Sequence, residues 1–165
     1  MTIDTLKRLA LFILFCLAQA LVCNRIQLFH CATPLPYVYF IIMFPRNHPK
    51  WSILLWSFTL GLAIDTFSNT PGIASASLTL IGAIQPYLLE LFIPHDADEN
   101  IQSSAKILGW GKFATFTSLL VIIFCLVFFT VEAFNFFNWL HWLQCAIGSI
   151  VITIILILSL ETIRK

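Results

Sequence analysis

Long apolar runs separated by short polar punctuation set the pattern of this chain. Leu9 to Val22 is apolar apart from Gln19, Tyr37 to Phe44 carries no charge, and Trp51 to Ile64 is fourteen uncharged residues ending at Asp65. Ile73 to Leu89, Phe113 to Val131 and Trp139 to Leu160 complete the series, each closed by a charged or turn-forming residue. A helix that crosses a bilayer needs about 20 mostly apolar residues. The runs predict six such helices, at about residues 8–25, 28–45, 51–67, 72–93, 113–132 and 139–160. The second is unlike the others. Pro34, Pro36 and Pro45 leave only Tyr37 to Phe44 uninterrupted, too short to cross alone. Its outer end must be irregular or kinked, which a membrane tolerates only where neighbouring protein satisfies the freed backbone groups.

Composition names the solvent. Only 10% of the 165 residues are charged, and mean hydropathy is +0.92. Soluble domains carry about 25% charged residues, so a globule of this make-up could not clothe itself in water. The expectation is a single all-α, polytopic membrane domain covering residues 1–165. A net charge of +1 gives no concentrated basic surface, which excludes nucleic acid as a partner.

The basic residues orient the spans. With the N-terminus in the cytoplasm and six crossings, Lys7, Arg8, Arg46, Lys50, Lys106, Lys112, Arg164 and Lys165 fall inside and Arg25 alone falls outside. That segregation follows the positive-inside rule and predicts that both termini are cytoplasmic. Lys7 and Arg8 before an apolar run, with Ala18 to Ala20 late in it, imitate a secretory signal. The remaining spans also need inserting, so an uncleaved first helix is expected.

Chemistry-bearing residues are few. The five cysteines form no C-x-x-C pair and lack metal-ligand spacing. They read as small apolar residues, with a Cys23–Cys31 disulfide as the alternative at the outer face. His95, Asp96, Asp98 and Glu99 open a polar loop and match no metal motif. Glu90 is expected to stabilise the inner end of the fourth span, near Lys106. Glu132 and Glu161 stand at span ends, where they read as solvated anchors. Phe134, Phe136, Phe137, Trp139 and Trp142 read as an interfacial aromatic belt. No catalytic spacing, cofactor site or phosphate loop emerges. The expectation is a non-enzymatic protein without cofactor that works by association. Gly61, Gly72, Gly82 and Ala76 supply small positions for helix packing, turns and partner contact.

Asp65 is the exception. A carboxylate at the bilayer centre costs roughly 2.5–3.5 kcal/mol on insertion scales, less at the interface. Its place about one turn before the turn at Ser68 to Gly72 suggests that it hydrogen-bonds that turn and joins two helices. On that reading asparagine would serve in its place and leucine would not. Arg25 is its candidate ion-pair partner, and partner contact or an ion path is the alternative role.

The stretch GLAIDTFSNTPGIASASLTLIGAIQPYLL, from Gly61 to Leu89, resembles the bacterial rod shape-determining protein family MreD. A third span ending in G-L-x-x-D, a short polar turn and a glycine opening a fourth span rich in small residues carry the likeness. Gly61, Leu62, Asp65 and Gly72 occupy those positions. The resemblance implies a multi-pass component of the bacterial inner membrane, part of the cell-elongation assembly that directs peptidoglycan synthesis. Its implied partners are an MreC-like membrane protein and, through the complex, MreB, RodA and a class B penicillin-binding transpeptidase, with membrane lipids around it. It also implies a fold related to the S components of energy-coupling factor transporters. An S-component-like vitamin binder is therefore the rival, in which Arg25, Asp65, Asn69 and Asn138 would converge on a solute.

Overall fold

The computed structural model describes residues 3–21, 33–70, 72–93, 104–133 and 139–164, and all regular structure among them is helical. The elements are α1 (Ile3–Leu21), α2 (Val38–Ile42), α3 (Lys50–Ser68), α4 (Ile73–Phe92), α5 (Ala105–Leu108), α6 (Trp110–Ala133) and α7 (Trp139–Arg164). Four helices among the described residues are long and apolar enough to cross a membrane: α3, α4, α6 and the Trp142–Arg164 part of α7. At 1.5 Å per residue, a helix the length of α3 reaches about 28 Å, close to the ~30 Å of a hydrocarbon core. α1 is amphipathic rather than uniformly apolar. It carries Lys7 and Arg8 early, buries Phe15, Cys16 and Gln19, and exposes Leu6, Ile13, Leu14 and Leu17.

The elements pack in series, α3 on α4, α4 on α6 and α6 on α7, with α1 laid against α3 and α5 against α6. Their outward faces are apolar. Leu55 and Phe58 of α3, Leu80 of α4, Ile122 and Leu126 of α6, and Val151 and Ile155 of α7 are all exposed. Such a perimeter suits lipid and would be unsustainable in water. The interior is filled by Ile53, Leu60, Leu78, Ile81, Leu89, Phe113, Phe116, Leu120 and Phe124.

The second predicted span is corrected. Where a helix over 28–45 was expected, residues 38–42 form five residues of helix, flanked by turns and irregular chain; residues 22–32 lie outside the described residues. Every residue of α2 is buried, in contact with α1, α4 and α6. The prolines are the cause: Pro34, Pro36 and Pro45 remove donors and restrict the backbone on both sides of Tyr37 to Phe44. The donors and acceptors that helix would have paired are taken up by neighbours. Thr33 N–H donates to Ser149 Oγ at 3.1 Å and Leu35 N–H to Thr153 Oγ1 at 3.1 Å. Gln85 Nε2 donates to the Phe44 carbonyl at 3.3 Å. Ser149 and Thr153 lie one turn apart on a buried face of α7, and their place in an apolar span is explained by this service.

The third to sixth expected spans match α3, α4, α6 and α7 to within a few residues, apart from the C-terminal end of the last, which runs on to Arg164. The first expected span, about 8–25, falls on α1, which is not among the four helices long and apolar enough to cross, and its residues 22–25 lie outside the described residues. Cys16, Cys125 and Cys145 are free and buried, as small apolar residues would be. Cys23 and Cys31 lie outside the described residues.

Candidate functional site

The α3–α4 hairpin is built around one carboxylate. α3 ends at Ser68 because Asn69 adopts the left-handed conformation (φ 56°), and its N–H closes the helix onto the Asp65 carbonyl. Thr70 N–H reaches the same carbonyl at 3.2 Å. Gly72, also left-handed at φ 86°, turns the chain into α4. Glycine has no side chain with which to cap, so the first N–H groups of α4 would be left without acceptors. Asp65 supplies them from the preceding helix. Its Oδ1 accepts from Ala74 N–H at 2.8 Å and from Thr70 Oγ1 at 3.1 Å; its Oδ2 accepts from Ser75 N–H at 2.9 Å. The carboxylate is buried, 6% exposed, and its negative charge sits at the positive end of the α4 dipole. This arrangement explains a charge at the end of a long apolar run.

Gly61 makes that reach feasible. One turn before Asp65, a Cβ at residue 61 would stand 2.7 Å from Ser75 N and 2.9 Å from the Ala74 carbonyl oxygen. Only glycine lets the start of α4 lie this close to α3. A second close approach lies deeper, where a Cβ on Gly82 would come within 3.1 Å of Ser57 Cβ. Gly61, Asp65 and Gly72 thus act on one feature, and Gly82 extends the same helix pair. Leu62 and Ala76 do not join them: both are exposed on the outer surface of the hairpin. Arg25, the expected ion-pair partner, lies outside the described residues, as do Asn138, His95, Asp96, Asp98, Glu99 and the aromatics Phe134, Phe136 and Phe137.

A second carboxylate corrects the sequence reading. Glu161 was expected to be a solvated anchor, yet it is 3% exposed. Its Oε1 accepts from Ala105 N–H at 2.9 Å and from Ser104 Oγ at 3.0 Å, at the start of α5. Its Oε2 accepts from the Tyr39 hydroxyl and lies 3.7 Å from Arg164 Nη1. Glu161 therefore joins α2, α5 and α7. Apart from Arg164, three residues on, its partners stand more than fifty residues away in sequence, so local spacing gave no sign of them. Glu90 and Lys106 are both exposed, and Glu132 is exposed near the end of α6.

Near the Glu161 knot, at the opposite end of α3 from Asp65, lies a cavity of about 900 Å³. Arg8 approaches its rim over the Phe44 ring, 5.2 Å from the centroid, and hydrogen-bonds His48 Nε2. Burial, then the Arg8 charge, hold the His48 imidazole below its ordinary range. A guanidinium can only donate, so Nε2 of the ring is the acceptor in this bond. Among the described residues no group of three or more His, Cys, Asp or Glu side chains is placed to hold a metal ion.

No family model, curated protein or solved structure matches this chain.

Proposed function

We propose that this chain is a non-enzymatic, multi-pass component of the bacterial inner membrane that helps organise the cell-elongation complex, in the manner of MreD. The observation that carries the reading is the hairpin. Gly61, Asp65 and Gly72, three of the four positions on which the resemblance rests, shape the α3–α4 hairpin: Gly61 by letting the helices approach, Asp65 by capping α4 and Gly72 by turning the chain. The fourth, Leu62, stands outside on the same hairpin with Ala76, where a membrane partner would meet them. A rigid helix pair with small and apolar residues on its outer surface suits recognition of another membrane helix, which depends on close packing in lipid. The rival solute binder needs Asp65 to face a ligand. Both oxygens of that carboxylate already accept backbone N–H groups of α4.

On this reading both termini, with Lys50 and Lys112, are cytoplasmic, and the Asp65 hairpin faces outward. The partner is an MreC-like protein, with MreB, RodA and a class B penicillin-binding transpeptidase reached through the complex. The test is capture from native membranes together with depletion. An MreC-like protein should co-purify with the wild-type chain and be lost with Ala76→Phe, and depletion should round elongated cells. A vitamin requirement on depletion, with cell shape and wall synthesis unchanged, would replace this reading with the S-component one.

A further inference from the structure

The cavity beside α1 has a polarity gradient. At its mouth stand Lys7, Arg8 and Arg164, with His48 and Asn47 from the loop that follows α2. Deeper, one wall is Leu11, Leu14 and Phe15 of α1, and the facing wall includes Leu160 of α7. Both helices show the same order. Lys7 precedes Leu11 and Leu14 by one and two turns on one stripe of α1, and Leu160 lies one turn inward of Arg164. At 1.5 Å per residue, the step from Lys7 to Leu14 is about 10 Å toward the middle of the helix. Three cations line the mouth, and among the described residues no carboxylate belongs to the lining. Arg164 shares its charge with Glu161 behind it and Arg8 is engaged with His48; Lys7 stands with Arg8 on the opposite wall.

We propose that this cavity binds an anionic phospholipid, its phosphate held by Lys7, Arg8 and Arg164 and one acyl chain laid along Leu11, Leu14 and Leu160. Basic pockets between membrane helices take anionic headgroups, and the volume lies within the range of small-molecule sites. Charge complementarity selects the anion, since a zwitterionic headgroup brings a cation into a mouth that already holds three. The apolar depth selects a lipid over a free phosphate, which would leave that depth unfilled. The inference does not depend on the role in cell elongation. It concerns the end of the helix bundle remote from the Asp65 hairpin.

The experiment is native mass spectrometry of the detergent-purified full chain, titrated with phosphatidylglycerol or with phosphatidylcholine of the same acyl chains. Phosphatidylglycerol should be retained and phosphatidylcholine lost. Lys7→Gln should weaken phosphatidylglycerol retention about fivefold, the contribution of one basic side chain near an anionic headgroup. Leu14→Trp should weaken it by filling the apolar depth. Lys7 and Leu14 are both exposed, so neither variant disturbs the core, and unchanged helical circular dichroism checks this. Lys112→Gln, an exposed basic position outside the cavity, should leave retention unchanged. Equal retention of the two lipids would overturn the proposal. So would wild-type retention by both Lys7→Gln and Leu14→Trp, or displacement of the lipid by millimolar glycerol phosphate, which would make the site one for a soluble phosphate.

Discussion

Replacing Asp65 with asparagine preserves shape and removes one acceptor. The two carboxylate oxygens receive N–H groups from successive residues, Ala74 to Oδ1 at 2.8 Å and Ser75 to Oδ2 at 2.9 Å. An amide offers one oxygen and one NH2, and the NH2 would be aimed at a backbone N–H that cannot reverse its role. One buried donor is left unpaired, which costs about 1–3 kcal/mol. The charge at the α4 N-terminus is also lost, worth about 0.3–1 kcal/mol and more where partly buried. Together these give roughly 2–4 kcal/mol for Asp65→Asn, a large share of a typical 5–15 kcal/mol stability. Asp65→Leu strands both N–H groups and should cost more. Denaturant unfolding in detergent, followed by circular dichroism, measures the difference. The expectation from sequence, that asparagine would serve, is thereby revised, because the sequence reveals a hydrogen-bonding carboxylate without revealing that both its oxygens face donors. Asparagine within about 0.5 kcal/mol of wild type, the spread of neutral surface changes, would refute this account of the hairpin.

Three further outcomes are expected. Gly61→Ala should destabilise by about 1–3 kcal/mol through overpacking and separate the helices, read as a longer distance between spin labels at Phe58 and Leu80; Gly72→Ala should cost about 1–2 kcal/mol from its left-handed backbone with that distance unchanged. Glu161→Ala should cost about 3 kcal/mol by leaving Ala105 N–H without its acceptor and the Tyr39 hydroxyl without its partner, whereas Glu161→Gln should cost less than half of that, because the hydroxyl can turn and accept from the amide; equal losses in unfolding experiments would contradict the assignment. His48 is held below its ordinary 6.5 by burial and then by Arg8, so the unfolded chain takes up its proton more readily than the folded one. Its contribution is whole above about pH 6.5 and declines as pH falls below that; thermal unfolding at pH 7.5 and pH 5.5 should show the loss, and His48→Gln should reduce it.

The legibility of the chain followed the range of the interactions concerned. α3, α4 and α6 were visible because a long apolar run specifies a spanning helix by itself, and α7 was visible for the same reason. Asp65 was visible because its partners lie nine and ten residues away, across a turn that Asn69, Pro71 and Gly72 announce. Glu161 was misread because the groups it binds belong to α2 and α5, and only the folded chain brings them to α7. The second span was half legible: three prolines told of irregular backbone, while the identity of its acceptors and donors, Ser149, Thr153 and Gln85, depended on helix register. The cavity lining was hidden for the same reason, since Lys7, His48 and Arg164 share no local pattern.

The hydrogen bonds from Thr33 and Leu35 to Ser149 and Thr153 also impose an order of events on biogenesis. The two partners in each pair are separated by 116 and 118 residues, so the segment before α2 leaves the ribosome long before the helix that will satisfy it. Until α7 is made and inserted, those N–H groups have no acceptor from it, and within the hydrocarbon each would cost several kcal/mol. The bundle can pair those two N–H groups in this way only once α7 has joined it. α7 thus serves as a template for the segment before α2 as well as packing on α6. A substitute with the same hydropathy and no hydroxyls at 149 and 153 would insert as readily, yet would leave the interior unfinished.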